Sequence, residues 1–132
     1  MSEWFAKSAA QAALTDVAEG RRWVLRGGEA ALAAAGAAFG TALPSQAGGV
    51  SRVAGTPRAA LWLGPDEIWL GTSMDDGAAL EAALQTGLAA HAHSLVDISH
   101  RNVALELSGT HAAWLLNSLC PLALTLEAFP VD

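Results

Sequence analysis

Four histidines and their neighbours are the first residues of this chain that could do chemistry. His91 and His93 flank one alanine, and His100 follows Asp97 and Ser99 in the segment DISHR. Imidazole and carboxylate groups are common zinc ligands, so these residues could contribute to a metal site. The chain offers neither a cysteine pair nor the helical HxxxH spacing, and a closed zinc site takes about four ligands. We therefore predict no metal site and interpret His91 and His93 as helix-end histidines that interact with the helix dipole.

Two residues could act as nucleophiles, and neither has suitable surroundings. Asp97, Ser99 and His100 contain the residue types of a catalytic triad, but successive residues of a strand point to opposite faces, so Ser99 and His100 do not readily hydrogen-bond. Cys120, the only cysteine, lies before Pro121 at a predicted helix C-terminus, away from the helix N-terminus or basic neighbour that activates a thiol. We predict no catalytic residue and a buried structural thiol at Cys120.

Other residue patterns give weaker signals. Asp66 and Glu67 are adjacent carboxylates at a predicted hairpin tip, a position that is usually solvated. The segments RGGE and AGGV lack the spacing of phosphate-binding loops. Tryptophans could stack a ring ligand such as a pterin, although tryptophan at alternating strand positions is more often core or interface. The five tryptophans are Trp4, Trp23, Trp62, Trp69 and Trp114. We predict no cofactor bound by this chain.

The composition excludes several classes of protein and suggests a partner. The net charge of −6 argues against nucleic-acid binding, which needs clustered Lys and Arg. Hydrophobic runs stop short of the roughly 20 residues of a membrane-spanning helix, which predicts no membrane contact. Charged residues make up 15%, against about 25% in a typical soluble domain, so we expect a partner to cover part of the surface. A single cysteine and a start without an export signal predict a cytoplasmic protein.

Hydrophobic periodicity switches repeatedly between that of strands and that of helices. We expect the first helix to end at Leu43-Pro44, the segment 45–57 to be a mobile loop, and Asp75 or Asp76 to be the N-cap of the second helix. Gly64-Pro65-Asp66 predicts a hairpin turn. The predicted strands are 21–26, the two arms of the hairpin within 60–72, 95–98, 103–107 and a return strand before Pro130, and the predicted helices are 28–39, 76–91 and 110–119.

This order of elements predicts an α+β fold, a ferredoxin-like βαββαβ antiparallel sheet with helices on one face. Other α+β arrangements remain open from the sequence alone. WVLRGGEAALAAA and ALELSGTHAAWLL share a strand, glycine turn and helix pattern, which predicts an incomplete second repeat. We assign 1–20 to an N-terminal segment that is helical by composition and otherwise uncertain, and 21–132 to one domain.

The segments WLGPDEIW, DISHR, and CPL with the later FP together resemble one known family, the gamma subunit of heterotetrameric sarcosine oxidase. The likeness runs from about Arg22 to Val131 and is most specific in WLGPDEIW, in DISHR and in CPL with the later FP. DxSH and the Ser-Gly turn before a helix also resemble, more distantly, the folate-binding domain of aminomethyltransferases. The residues that carry the family pattern, and are candidates for an interface, are Trp62, Gly64, Asp66, Trp69, Asp97, Ser99, His100, Arg101, Gly109, Trp114, Cys120 and Pro121.

The resemblance implies a non-catalytic accessory subunit of a bacterial complex. That complex oxidises the N-methyl group of sarcosine to give glycine, hydrogen peroxide and, with tetrahydrofolate, 5,10-methylenetetrahydrofolate. Alpha, beta and delta subunits are the implied partners, with FAD, FMN, NAD and tetrahydrofolate on alpha and beta and zinc on delta. Family members continue past the FPV segment, so we expect this chain to be shortened at its C-terminus. The alternatives are a stand-alone folate-binding or aminomethyltransferase-like module, motivated by the tryptophans and DxSH, and a degenerate paralogue without partners.

Overall fold

The computed structural model describes residues 12–121, 123–125 and 127–128. They belong to two compact units, a larger one over 19–103 and a smaller one formed by the described parts of 1–18 and 104–132. The predicted domain boundary between residues 20 and 21 stays a prediction. The strands are β1 Ala13–Asp16, β2 Gly20–Gly27, β3 Val50–Arg52, β4 Ala59–Gly64, β5 Glu67–Ser73, β6 His93–Asp97 and β7 Leu105–Ser108, and the helices are α1 Glu29–Phe39, α2 Met74–Leu88 and α3 Ala112–Asn117.

The larger unit contains a five-stranded sheet in the order β3-β4-β5-β2-β6, and every neighbouring pair is antiparallel. The connection through α1 joins β2 to the β3–β4 pair, and α2 joins β5 to β6. Apart from the edge strand β3, each helix therefore connects strands that are separated by one other strand, as in a split βαβ unit. The predicted α+β class with an antiparallel sheet is confirmed.

The core lies between the two helices and one face of this sheet. Trp23 and Leu25 of β2 point into it, because alternate residues of a strand share a face. From α2, Leu80, Leu84 and Leu88 are completely buried, as their spacing of four residues predicts. The remaining buried core residues are Ala31, Ala35, Phe39, Ala60, Ile68 and Leu70. Both helices thus cover the same face, which confirms that part of the prediction.

α1 ends at Phe39, as its predicted range of 28–39 has it, but the residues that cap the two long helices differ from those predicted. Gly40, at φ 108°, ends α1 in the left-handed conformation that glycine tolerates, and its N–H donates to the Gly36 carbonyl at 2.9 Å. The prediction that Leu43-Pro44 ends this helix was wrong. Ser73, not Asp75 or Asp76, is the N-cap of α2, and its hydroxyl accepts from the Asp76 N–H at 3.4 Å. The last residue of β5 therefore caps the helix directly.

Two short strands lie where none was predicted. β3 falls within the segment 45–57, which we expected to be a loop, and pairs with β4. β1 falls within the segment 1–20, expected to be helical, and pairs with β7 in the smaller unit. Both strands are only three or four residues long, too short to show a clear alternation.

The smaller unit has a two-stranded antiparallel ribbon and one short helix. After β7 the chain turns at Gly109, at φ 111°, into α3, so that the strand, glycine turn and helix order of β2 and α1 recurs. α3 has six residues and is shorter than predicted. The predicted return strand is not formed by 123–125 or 127–128, and the rest of that segment lies outside the described residues. No helix of the described residues is long and apolar enough to cross a bilayer.

An ion pair connects three elements at one edge of the core. The Arg58 guanidinium donates to both oxygens of Asp76, at 2.7 and 2.8 Å, and to the Phe39 carbonyl at 2.9 Å. The Thr72 hydroxyl donates to the same carboxylate at 2.7 Å. These hydrogen bonds, with that of Arg58 the strongest, lower the pKa of Asp76 to about 2. The pair therefore ties the end of α1 to the start of α2.

The variant Asp76→Asn tests this connection. Because the carboxyl pKa is lower in the folded protein than its ordinary 3.8, its stabilisation is fully present above about pH 4 and is lost as the pH falls toward 2. After allowance for solvent at this partly exposed pair, we expect the variant to lose about 1–2 kcal/mol of unfolding free energy at pH 7 and much less near pH 2. Urea unfolding at both pH values measures the loss. Asp75→Asn, in the same helical turn, is the matched control, and equal losses in the two variants would contradict the assignment.

Candidate functional site

The DISHR segment forms a hydrogen-bonded corner where the chain leaves β6. Asp97 accepts from the Ser99 N–H at 2.8 Å and from the Arg21 guanidinium at 2.8 Å. The Ser99 hydroxyl accepts from the Arg22 N–H at 3.0 Å, and the Ile98 N–H donates to the Arg22 carbonyl at 2.8 Å. The side chain of Ser99 thus continues the pairing of β2 beyond the last residue of β6.

This corner does not form a catalytic triad. Hydrogen bonding by the Ser99 side chain, then by its N–H, lowers the pKa of the Asp97 carboxyl, and the charges of Arg21 and His100 act in the same direction. The Ser99 hydroxyl is engaged with backbone groups of Arg22, and within 97–101, all of which is described, no hydrogen bond joins it to the exposed His100. The arrangement holds two segments of backbone together and presents no activated nucleophile.

The histidines do not meet in one place. α2 ends at Leu88, and the His91 N–H donates to the Leu88 carbonyl at 2.9 Å, so the backbone of His91 and not its ring serves the helix end. His93 belongs to β6 and not to the helix, but its Nδ1 lies 2.8 Å from the His91 carbonyl just past the helix end, so it contacts an exposed carbonyl there. His111 lies beside Thr110 in the smaller unit. Among the described residues, no group of three or more His, Cys, Asp and Glu is arranged to hold a metal ion.

The tryptophans also have separate environments. In the β4–β5 register, Trp62 points toward the core and Trp69 toward the opposite face of the sheet. Trp23 is completely buried, whereas Trp114 is 68% exposed on α3. Trp4 lies outside the described residues. The two hairpin tryptophans therefore cannot stack on the two sides of one ring.

The sheet face opposite α1 and α2, here called the open face, carries a continuous line of apolar side chains. In the observed registers each member is the cross-strand partner of the next. Its members, one from each strand, are Val50, Leu61, Trp69, Val24 and Val96, here called the apolar row. Both ends of the row are exposed, Val50 by 38% and Val96 by 50%. The open face thus has the chemistry of an interaction surface.

Trp69, at the centre of the apolar row, lies flat along its strand. A Cβ at Gly71, the next residue on the same face, would overlap the indole ring of Trp69. Glycine at this position lets the ring cover the backbone of β5. The ring is half-buried against this backbone and forms the middle of the apolar row.

The other residues of the family pattern occupy turns. Gly64 and Asp66 lie at the hairpin tip, where the Asp66 carbonyl accepts from the Gly27 N–H at 3.1 Å. An open groove of about 820 Å³ lies between this tip and α1. Arg101 follows the DISHR corner and is exposed. In the smaller unit, Cys120 is half-buried beside the exposed Pro121. The interface role predicted for these residues stays a prediction.

Sequence reasoning missed three features of the site. The contact of Arg21 with Asp97 and the pair of Arg58 with Asp76 join residues far apart in the chain, and no local pattern indicates them. The apolar row had a signal, since Val24 and Trp69 occupy the alternate positions opposite the core residues of predicted strands. The register that lines them up was not readable from the sequence.

Comparisons with known proteins place this geometry in a family. The fold is shared with the glycine cleavage system aminomethyltransferase T of Bartonella henselae, which has a TM-score of 0.65 and 19% identity over 83% of this chain and 32% of that one. A chain of the heterotetrameric sarcosine oxidase of Corynebacterium sp. U-96, in complex with pyrrole 2-carboxylate, has a TM-score of 0.84 and 33% identity over 97% of this chain and 68% of that one. The protein therefore has the aminomethyltransferase-like fold.

A curated relative identifies the family within this fold. Sarcosine oxidase subunit gamma of Arthrobacter sp is 41% identical over 106 residues, 80% of this chain and 50% of that protein. This chain belongs to the family of sarcosine oxidase gamma subunits, as the resemblance implied. It spans about half the length of the curated relatives it matches. No family model matches the chain.

The variant Ser99→Ala distinguishes a structural from a chemical role of the DISHR corner. It removes the side-chain acceptor of the Arg22 N–H, so we expect a loss of about 1 kcal/mol of unfolding free energy. His100→Ala, at an exposed neighbouring position, should change it by less than about 0.5 kcal/mol. Chemical denaturation of both variants measures the difference. A stability of Ser99→Ala equal to that of the unaltered protein would refute the structural role.

Proposed function

We propose that this chain is a non-catalytic accessory subunit of a heterotetrameric sarcosine oxidase. The observation that carries the proposal is the likeness to a chain of such an enzyme, with a TM-score of 0.84 and 33% identity over nearly the whole of this chain. The gamma name of the curated relatives supports the same role. The complex would oxidise sarcosine to glycine and hydrogen peroxide and, with tetrahydrofolate, form 5,10-methylenetetrahydrofolate.

The polar residues support a role without catalysis. Asp97 and Ser99 are both engaged with β2, through Arg21 and the Arg22 backbone. Asp76 is held by Arg58 and Thr72. Each of these carboxylates and hydroxyls stabilises the fold of the larger unit, and a group held in this way is poorly placed to bind and release a substrate.

The proposed partners follow from the same family. We assign FAD, FMN, NAD and tetrahydrofolate to the alpha and beta subunits and zinc to the delta subunit, with this chain holding none of them. The composition supports an assembled state, because charged residues make up only 15% of the chain and apolar side chains are exposed on both compact units. We place the assembly in the cytoplasm, in agreement with the single cysteine.

Co-expression tests the accessory role. The tagged full chain is produced with the other sarcosine oxidase subunits of its own organism, and the purified material is assayed for sarcosine-dependent peroxide formation. We expect the chain to co-purify with the larger subunits, and its omission to lower the yield of the assembled complex, because their contact surface would be left uncovered. Assembly and turnover at full yield without this chain would refute the proposal.

A titration distinguishes the proposed accessory subunit from the alternative, a stand-alone folate-binding module. That alternative draws on the aminomethyltransferase-like fold, but Trp62 and Trp69 lie on opposite faces of the sheet. We expect tetrahydrofolate to leave the tryptophan fluorescence of the isolated chain unchanged after correction for its absorbance. Saturable quenching would favour the folate-binding module.

A further inference from the structure

The apolar row is long enough to be the centre of a protein interface. Neighbouring strands lie about 4.8 Å apart, so a row across five strands extends roughly 19 Å. A standard interface covers about 800 Å² on each partner, which corresponds to a patch roughly 30 Å across. The apolar row would therefore extend over more than half of such a patch. At its middle, Trp69 lies flat over Gly71, and large aromatic side chains at the centre of a patch contribute most to binding.

Arginines border the apolar row. The adjacent cross-strand row on the open face begins at Arg52, passes Ala59 and Gly71, and ends at Arg22. On the other side of the apolar row, Arg26 pairs with Glu67 at 2.6 Å. Among the described residues, three arginines therefore lie on the open face with the carboxylate of Glu67, and Asp66 at the hairpin tip also acts on Arg26, in a chain whose net charge is −6.

The charge of the open face selects the kind of partner. Arginine is enriched in interfaces, and a basic border around an apolar centre matches a surface with an apolar strip and acidic side chains at its edge. A second copy of this chain is a poor match, because two open faces would bring like-charged arginines together. Nucleic acid is also a poor match, because the centre of the face is apolar and the whole chain is acidic.

We propose that the apolar row, with Arg22 and Arg52 at its border, is the docking surface for a larger subunit of the complex that presents an apolar strip rimmed by carboxylates. The inference rests on the proposed function and specifies which face of this chain is covered. Trp69 is the central anchor. The arginines orient the two surfaces and speed their association.

Two variants of the open face and one control test the docking surface. Val96→Glu places a carboxylate in the apolar row, and Arg52→Glu reverses one charge of its border. Met74→Glu is the control, because Met74 is as exposed as Val96, 51% against 50%, but begins α2 on the other side of the sheet. A carboxylate in the first turn of a helix is also well tolerated. Thermal melts of all three full-length variants establish that they fold.

The readout is the affinity of each tagged variant for the other sarcosine oxidase subunits, measured at low and high salt. We expect Val96→Glu and Arg52→Glu to bind at least tenfold more weakly, and Met74→Glu to bind within twofold of the unaltered chain. Salt should weaken binding of the unaltered chain more than that of Arg52→Glu. If Val96→Glu does not fold, Arg52→Glu, at an exposed edge position, gives the answer alone.

The outcomes separate this inference from the proposed function. Tight binding of all variants would leave the accessory role intact and overturn the docking surface. A loss of binding in Met74→Glu equal to that in Val96→Glu would overturn it as well. Sedimentation that shows the isolated chain as a dimer, which Val96→Glu dissociates, would assign the face to a second copy instead. If the unaltered chain binds no subunit, the proposed function fails, and this inference fails with it.

Discussion

Two helices cover one face of the five-stranded sheet, and this constraint determines the character of the larger unit. On the covered face, Trp23, Leu25 and Leu70 are almost completely buried against α1 and α2. Because side chains alternate along a strand, the residues between them must point the other way. Apolar residues at those positions lie outside the buried core of the unit, half-buried at the centre of the apolar row and exposed at its ends. Their presence in one row across the five strands of this sheet is the feature that the proposed docking surface accounts for.

The polar residues of the DISHR segment also stabilise this sheet. β6 is an edge strand, and it stops at Asp97, where Ser99 takes over the pairing with the β2 backbone. Arg21 connects Asp97 with Glu81 of α2, at 2.8 and 2.7 Å, and its guanidinium lies 5.2 Å from the centre of the Trp23 ring. Asp97 and Ser99, which in the sequence suggest a catalytic group, thus hold β6 and α2 against β2 at one end of the core. Gly77 makes room for this arginine, because a Cβ there would overlap its side chain.

The sequence predicts those elements of the fold that depend on neighbouring residues, and it does not predict those that depend on residues distant in the chain. β2, the β4–β5 hairpin and the buried face of α2 follow from patterns within a few residues, and all were predicted. The boundary between β5 and α2 was missed because Ser73 is at once the end of a strand and an N-cap, so the two patterns overlap. β3 and β1 are short and depend on partners distant in the chain. The same holds for Arg58 with Asp76, whose pairing requires the fold to be known first.

The low fraction of charged residues reflects apolar side chains on the surface and not an unusually large core. The buried core of the larger unit contains eight large apolar side chains and three alanines, and many of the chain's other large apolar residues lie outside it. Among the described residues, several others are exposed, and two groups of them stand out. One lies on the open face, with Val50 and Val96 at the ends of the apolar row, and the other in the smaller unit, where Trp114 and Leu119 are 68% and 89% exposed. A contiguous exposed apolar patch, unlike a single exposed apolar side chain, favours association with another surface. Arginines beside the apolar row limit such association while leaving the face available to an acidic partner.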